Sequence, residues 1–290
     1  MIGIVLALLS AMVYSFSVVL VGKKLNESNF VSAAVVLTIT GNLILWPLAL
    51  LLTDFGSINF EGVLFYVIAG ILAPGIARLS YYKGVEVVGV SVNSSIFATN
   101  PMFSSLLAVL LLSEVLAPGN WIGIVCIMVG VVYIERSLGK LGSEPKRIPK
   151  KGLVFPLLAG LAIAFSFTAR KYGLNIYNEP FFGVAIGYAS SLLLLLLLSI
   201  FSPNKVGSKF SGRDFQLFWK GGVGLSLAWV LSFYALSHEK LSVVAPLMQT
   251  EPLFVLFFVY IYLKELEKIS LKLVISTLLI VLGVMLVSFR

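Results

Sequence analysis

Apolar stretches separated by short polar breaks recur ten times along this chain, each close to the roughly 20 residues an α-helix needs to cross about 30 Å of hydrocarbon. They run over 2–22, 31–52, 62–82, 90–112, 119–135, 152–172, 181–201, 219–237, 242–263 and 270–289. Only 12% of the 290 residues are charged and 59% are hydrophobic, whereas a soluble domain carries about 25% charged residues. A soluble fold of this size could not cover itself with polar surface. The expected fold class is therefore an all-α integral membrane protein of ten transmembrane helices, with lipid as part of its solvent. The first run starts at Met1 without a basic region before it and lacks a convincing cleavage site, so it reads as a retained helix.

Two connections are long: the basic linker around 136–150 and the stretch from Ser202 to about Leu217. The linker divides the chain into five helices and five helices, and the two sets repeat. Ser91-Val92-Asn93-Ser94-Ser95-Ile96-Phe97-Ala98-Thr99-Asn100-Pro101-Met102-Phe103 aligns with Ser242-Val243-Val244-Ala245-Pro246-Leu247-Met248-Gln249-Thr250-Glu251-Pro252-Leu253-Phe254 at a constant offset, which persists to Glu114 and Glu265. Near the front, Phe16-Ser17 and Leu25 match Phe165-Ser166 and Leu174, and Gly3 matches Gly152. Because five is odd, the second set must cross the membrane in the opposite sense. The expected units are 1–135, the linker loop 136–150, and 151–290, arranged as two inverted five-helix repeats around a central cavity.

The net charge of +8 sits in short loops beside apolar helices, which fits an anionic leaflet rather than nucleic acid. Of the Lys and Arg residues outside the helix interiors, 16 follow odd-numbered helices and 4 (Arg170, Lys171, Lys240 and Arg290) lie on the other side. The positive-inside rule then puts both termini outside a plasma or inner membrane. Cys126 is the only cysteine and His238 the only histidine. No disulfide, His-based metal site or clear catalytic triad can be built from them, and no Walker-type phosphate loop is present. A membrane enzyme and an ATP-driven pump are thus disfavoured, and no cofactor is expected.

The repeated blocks resemble the EamA-type unit of the drug/metabolite transporter superfamily. The resemblance rests on Ala11-Met12-Val13-Tyr14-Ser15 in the first helix, with Tyr14 where the family often has Trp. It rests also on Asn100-Pro101-Met102 and Glu251-Pro252-Leu253, the acids Glu114 and Glu265, and Gly130-Val131 and Gly283-Val284. It implies a basket of helices with helices 1, 3, 4, 6, 8 and 9 around the cavity and helices 5 and 10 peripheral. It also implies a secondary transporter for small metabolites, with export of amino acids or related compounds the leading substrate reading. A passive facilitator, or a carrier of nucleosides, sugars or drugs, is the alternative.

Helical spacing places Asn93, Phe97, Asn100 and Ser104 on one face of helix 4, assigned to the cavity. Ser91, Ser94, Ser95, Ala98 and Ser105 form an opposite face suited to helix packing. The repeat puts Met248, Glu251 and Val255 on the equivalent face of helix 9, with Gln249 and Thr250 as further donors. A carboxylate ten residues into a membrane helix costs about 2.5 to 3.5 kcal/mol unless it faces a cavity or partner. Glu251 is accordingly the sharpest candidate, either to exchange a proton during transport or to hold a substrate ammonium; the alternative is a structural glutamate, bonded to an adjacent helix and helping manage the backbone broken by Pro252. Arg78, read as one turn from the end of helix 3, could hold a carboxylate or snorkel. Tyr81, Tyr82, Trp229 and Tyr234 could form an aromatic wall or an interfacial belt. Tyr14, Ser17 and Ser166 could bond a ligand or pack helices, Thr38, Thr40 and Asn42 read as interhelical bonds, and Glu114 and Glu265 as ties to loops. His238 reads as a solvated loop residue. Gly119 and Gly123 make a small-xxx-small element that could mark a homodimer face or equally serve packing inside one chain.

Overall fold

In the computed structural model the described residues are 1–24, 27–28, 30–139, 150–201, 211–263 and 271–288. Glu265, Lys264 and Lys268, the linker core with Lys140, Lys146 and Arg147, Lys205, Lys209, Leu25, Asn26, Asn29 and Arg290 lie outside the described residues, as do the side chains of Ser91 and Ser94.

Among the described residues the chain is all helical and makes ten spans. These are α1 (Ile2–Gly22), α2 (Phe30–Leu52), α3 (Phe60–Gly70 and Ala77–Val88, joined by a π-helical turn at Ile71–Ile76), α4a (Val90–Phe97) with α4b (Asn100–Leu112), and α5 (Pro118–Gly139). The second five are α6 (Val154–Ile176), α7 (Pro180–Phe201), α8 (Gly212–His238), α9a (Leu241–Met248) with α9b (Glu251–Leu263), and α10 (Leu271–Ser288). Seven spans are long and apolar enough to cross a membrane, and Pro118–Ile134 and Ile275–Ser288 are shorter apolar helices. Two helices are longer than hydropathy alone suggests. α3 runs on to Val88, past the polar Lys83 and Glu86, and α8 begins at Gly212, where Ser211 and Asp214 form a reciprocal capping box.

Burial is inverted relative to a soluble protein. Leu51 is 80% exposed, Leu110 74% and Leu278 63%, while Ala7, Ala11, Ser10, Ser15 and Ser17 on α1 are buried. Large side chains face outward where lipid receives them, and small ones let backbones approach. α1 packs on α8 and α9b, and correspondingly α6 packs on α3 and α4b; α2 packs on α7, and α5 on α10. Exchanging helices 1–5 with 6–10 maps this contact pattern onto itself. The contacts also interleave the two sets, so neither set of five encloses its own core.

At Gly123 the α5–α10 contact matches the reading of packing inside one chain. A Cβ on Gly123 would meet the Gly283 carbonyl oxygen at 2.8 Å, and one on Gly283 would meet that of Gly123 at 2.6 Å. Gly123 is thus taken up inside the chain, whereas a Cβ on Gly119 would meet nothing within 4 Å. Helices 5 and 10 are peripheral, as expected.

Short hinges set the ends. Gly89, at φ 82°, joins α3 to α4a in one residue, a conformation that favours glycine. Ser113, at φ 54°, closes α4b, and Glu114 beyond it turns back to cap α9a. Its carboxylate accepts from Leu241 N at 2.7 Å, Ser242 N at 2.9 Å and Ser242 Oγ at 2.5 Å. This is the structural tie expected of Glu114, and it satisfies the open N–H groups at a helix start. Glu114→Ala should cost about 1 to 3 kcal/mol, read as a lower melting temperature in detergent, with Glu114→Gln intermediate. Gly283→Val should destabilise by about 1 to 3 kcal/mol through overpacking without changing the mass of the particle in size-exclusion light scattering.

Candidate functional site

Both broken helices are built the same way. α4 is interrupted at Ala98-Thr99 and α9 at Gln249-Thr250, immediately before Asn100-Pro101 and Glu251-Pro252. Thr99 Oγ1 donates to Ile96 O at 2.6 Å, and Thr250 Oγ1 to Leu247 O at 2.7 Å. The backbone repeats the pattern, with Thr99 N to Ile96 O at 3.1 Å and Thr250 N to Leu247 O at 3.2 Å. Each proline enters a first helical turn, where its missing N–H is no loss. Thr250 is thus buried and occupied with the break, which corrects its reading as a ligand donor.

The breaks touch through one side-chain bond. Asn100 Nδ2 donates to Gln249 Oε1 at 2.6 Å and to Phe97 O at 3.0 Å. Beside it lies a cavity of about 50 Å³. Its walls are Ser10 and Tyr14 from α1, Phe97 and Asn100 from α4, Ile163 and Phe167 from α6, Ala228 and Trp229 from α8, and Ala245, Met248, Gln249 and Glu251 from α9. Seven of the residues singled out in the sequence therefore share one wall system: Tyr14, Phe97, Asn100, Trp229, Met248, Gln249 and Glu251. Ser15 Oγ donates to the Glu251 carbonyl at 2.9 Å and seats that residue against α1. Glu251, Arg78, Tyr81 and Tyr82 all lie within electrostatic reach of the Tyr14 hydroxyl.

Other candidates fall elsewhere. Asn93 is buried against Gly84, and Ser104 is buried away from the cavity. Each stands one helical turn from a cavity residue on the same continuous segment, Asn93 before Phe97 in α4a and Ser104 after Asn100 in α4b, about 6 Å further along the axis, and the small cavity at the break reaches neither. No α3 residue lines the cavity, which corrects the expected set of helices. α3 stands one layer back, with Tyr81 edge-on to Phe97 at 5.0 Å between ring centroids and Tyr82 against Tyr81 at 6.1 Å. Arg78 is ten residues from the end of α3, about 15 Å along a helix. It reaches Thr38 Oγ1 at 3.4 Å, so it is not a snorkelling residue near a helix end. Tyr234 packs on Phe181 and His238 instead of the cavity, and His238 ends α8, exposed. Ser17 bonds Val13 O within its own helix, and Ser166 bonds Ala69 O across from α6 to α3. Asn42 bridges α2 to α7 through Tyr188 O at 3.2 Å, as an interhelical bond.

Arg170 was counted as a loop charge, and this is the largest correction. It is 1% exposed inside α6, where Nη2 donates to Ala73 O and to Ser166 Oγ, each at 2.8 Å. Its guanidinium lies 3.9 Å from the centroid of Trp229. The available sequence signal was Ser166 one helical turn before Arg170, a polar pair on one face of an otherwise apolar and small-residue helix. Removing Arg170 from the loop count only enlarges the Lys and Arg asymmetry. At the end of the molecule where both termini lie, a second hollow of about 660 Å³ is lined by Ile4, Val115, Asn120, Lys171, His238, Glu239, Lys240 and Val287, among others. Lys171 there bonds the α8 end at Leu236 O, 2.7 Å, and Glu239 O, 3.0 Å.

Comparison with known proteins agrees with this architecture. The profile of the EamA-like transporter family matches residues 1–136 and 150–289. An uncharacterized transporter of Archaeoglobus fulgidus is 27% identical over 291 residues, spanning 99% of this chain and 98% of that protein. An uncharacterized transporter of Helicobacter pylori is 24% identical over 205 residues, or 69% of this chain and 64% of the relative. A crystal structure of a protein with 13% sequence identity superposes with a TM-score of 0.79, covering 99% of this chain and 95% of its own.

The Asn100–Gln249 bond is the direct side-chain link between the two breaks. In a double-mutant cycle of Asn100→Ala and Gln249→Ala, thermal unfolding should show a coupling of about 1 kcal/mol. A coupling near zero would mean that the pair does not hold the breaks together.

Proposed function

The chain belongs to the EamA-like transporter family, and we propose that it is a secondary carrier that exports amino acids or related zwitterions by alternating access. The observation that carries this reading is the meeting of two interrupted helices, one from each proposed unit (1–135 and 151–290), at a cavity containing Glu251, Asn100 and Gln249. Interrupted helices at mid-depth are the usual carrier site, because the freed backbone and polar side chains face a cavity instead of lipid. Rocking of the two units about that site would expose it to each side in turn.

The cavity chemistry suits a small molecule with both charge signs and an apolar side chain. Glu251 offers a carboxylate to an ammonium group. Asn100 and Gln249 offer amides, while Phe97, Phe167, Ile163 and Met248 offer apolar walls. At about 50 Å³ the cavity has room for only a few waters at about 10 to 15 Å³ each in this measure. The conformation is thus contracted, and substrate entry requires the walls to part. The Lys and Arg asymmetry favours termini outside the cell membrane, so the 660 Å³ hollow would face outward. Placement in a transporter family is what sets an enzymatic reading aside.

Counterflow in proteoliposomes tests the carrier reading against a passive facilitator. Unlabelled leucine loaded inside should drive transient uphill accumulation of labelled leucine; equilibration without overshoot would indicate a channel. Failure of every amino acid with ready passage of nucleosides or sugars would overturn the substrate class. Glu251→Gln should abolish flux driven by a proton gradient and leave exchange intact, whereas unchanged driven flux would remove Glu251 from coupling.

A further inference from the structure

One wall of the cavity hides a cation. Trp229 lines both the 50 Å³ cavity and a void of about 10 Å³ on its far side, and Arg170 lines only the second. The indole is thus a partition, with the Arg170 guanidinium stacked on it at 3.9 Å. Phe167 and Phe233 complete the aromatic surround at 4.9 and 5.3 Å. A charge so deep in a membrane protein normally meets a counter-charge. Among the described residues Arg170 has no carboxylate partner: its polar bonds go to Ala73 O and Ser166 Oγ, and Nη1 has none. Trp229 Nε1 is likewise buried without a hydrogen-bond acceptor. The void is about the smallest that admits a water, and too small for an anion.

Two unsatisfied donors and a positive charge gather at one wall, with the unpartnered Tyr188 hydroxyl lining the same void and no anion opposite them among the described residues. We propose that Arg170 is the carboxylate-binding group of the carrier, screened in this contracted conformation by Trp229 and exposed to the cavity when the indole swings aside. This deepens the zwitterion reading of the same cavity and rests on it. Glu251 takes the ammonium, and Arg170 with Trp229 Nε1 takes the carboxylate. Displacing the indole also joins the void to the cavity, which supplies part of the room a substrate needs. A guanidinium fork suits a carboxylate geometrically, and the loss of water around it strengthens the contact.

Three matched probes separate the two ends of the substrate: leucine, its deaminated acid 4-methylpentanoate, and its decarboxylated amine 3-methylbutylamine. Binding to purified protein is read by tryptophan fluorescence, with Trp229→Phe identifying the responding indole, and by thermal shift. Wild type should bind leucine and the acid. Arg170→Gln should weaken acid binding about tenfold or more while leaving the amine unchanged, and Arg170→Lys should recover part of the loss. Should Arg170→Gln fold poorly, Arg170→Lys alone should still weaken the acid several-fold relative to the amine. Acid affinity untouched in either folded variant would overturn the proposal, as would wild type that binds the amine and not the acid. Arg170-dependent acid binding without leucine counterflow would retire the amino-acid reading and leave the anion site standing.

Discussion

Inside hydrocarbon a peptide group without a hydrogen-bond partner costs several kcal/mol, so a membrane chain can interrupt a helix only where protein satisfies the freed groups. The interruptions at Thr99 and Thr250 meet that demand with the same device, a threonine hydroxyl turned back onto the carbonyl three residues earlier. The breaks are also enclosed by α1, α6 and α8, and linked to each other through Asn100 and Gln249. The location of the cavity follows from this. Polar backbone must be gathered where lipid cannot reach, and the side chains that flank it become the walls of the only kind of site such a fold can hold.

Packing around the breaks combines a buried apolar cluster, with Leu45, Tyr66, Phe167, Phe233 and Leu247 among its members, with faces of small residues. Serine, alanine and glycine dominate the buried faces of α1 and α6, while leucines face outward. The small residues permit close backbone approach, as at Gly123 and Gly283, beside buried branched side chains such as Ile124, Ile127 and Ile280. Each of α1 and α6 lies against the opposite set of five helices, so a rocking motion would shear interfaces of small residues, where little interdigitation resists it.

Much of this architecture was legible in the sequence, because membrane thickness fixes helix length and an offset repeat survives in local motifs. Hydropathy read 90–112 and 242–263 as single spans, and of the two breaks only the one at Pro252 was signalled. Helical phase put Phe97 and Asn100 on the cavity wall, but phase does not give depth: Asn93 and Ser104 share that face one turn above and below the break and lie outside the cavity. Boundaries drawn by hydropathy misplaced charge in both directions. Arg78 was set near a helix end that lies three turns further on, and Arg170 was given to a loop although it is sealed under Trp229. Hydropathy assigns a charge to water by default, and only contacts distant in sequence, such as Arg170 with Ala73 and Trp229, reveal the exception.

The central claim is that the two ends of the molecule open in alternation about the cavity between the broken helices. Spin labels on a cysteine-free protein, with Cys126 replaced, can follow it by double electron–electron resonance. One pair at Val115 and Lys240 reports on the end that carries the termini, where the Lys240 Nζ to Val115 O distance is 3.4 Å. A second pair at Glu86 and Gly212 reports on the opposite end. A substrate that supports counterflow should shift the two distance distributions in opposite directions, one lengthening as the other shortens. Distances that stay fixed, or that lengthen together, would contradict alternating access and point to a static pore.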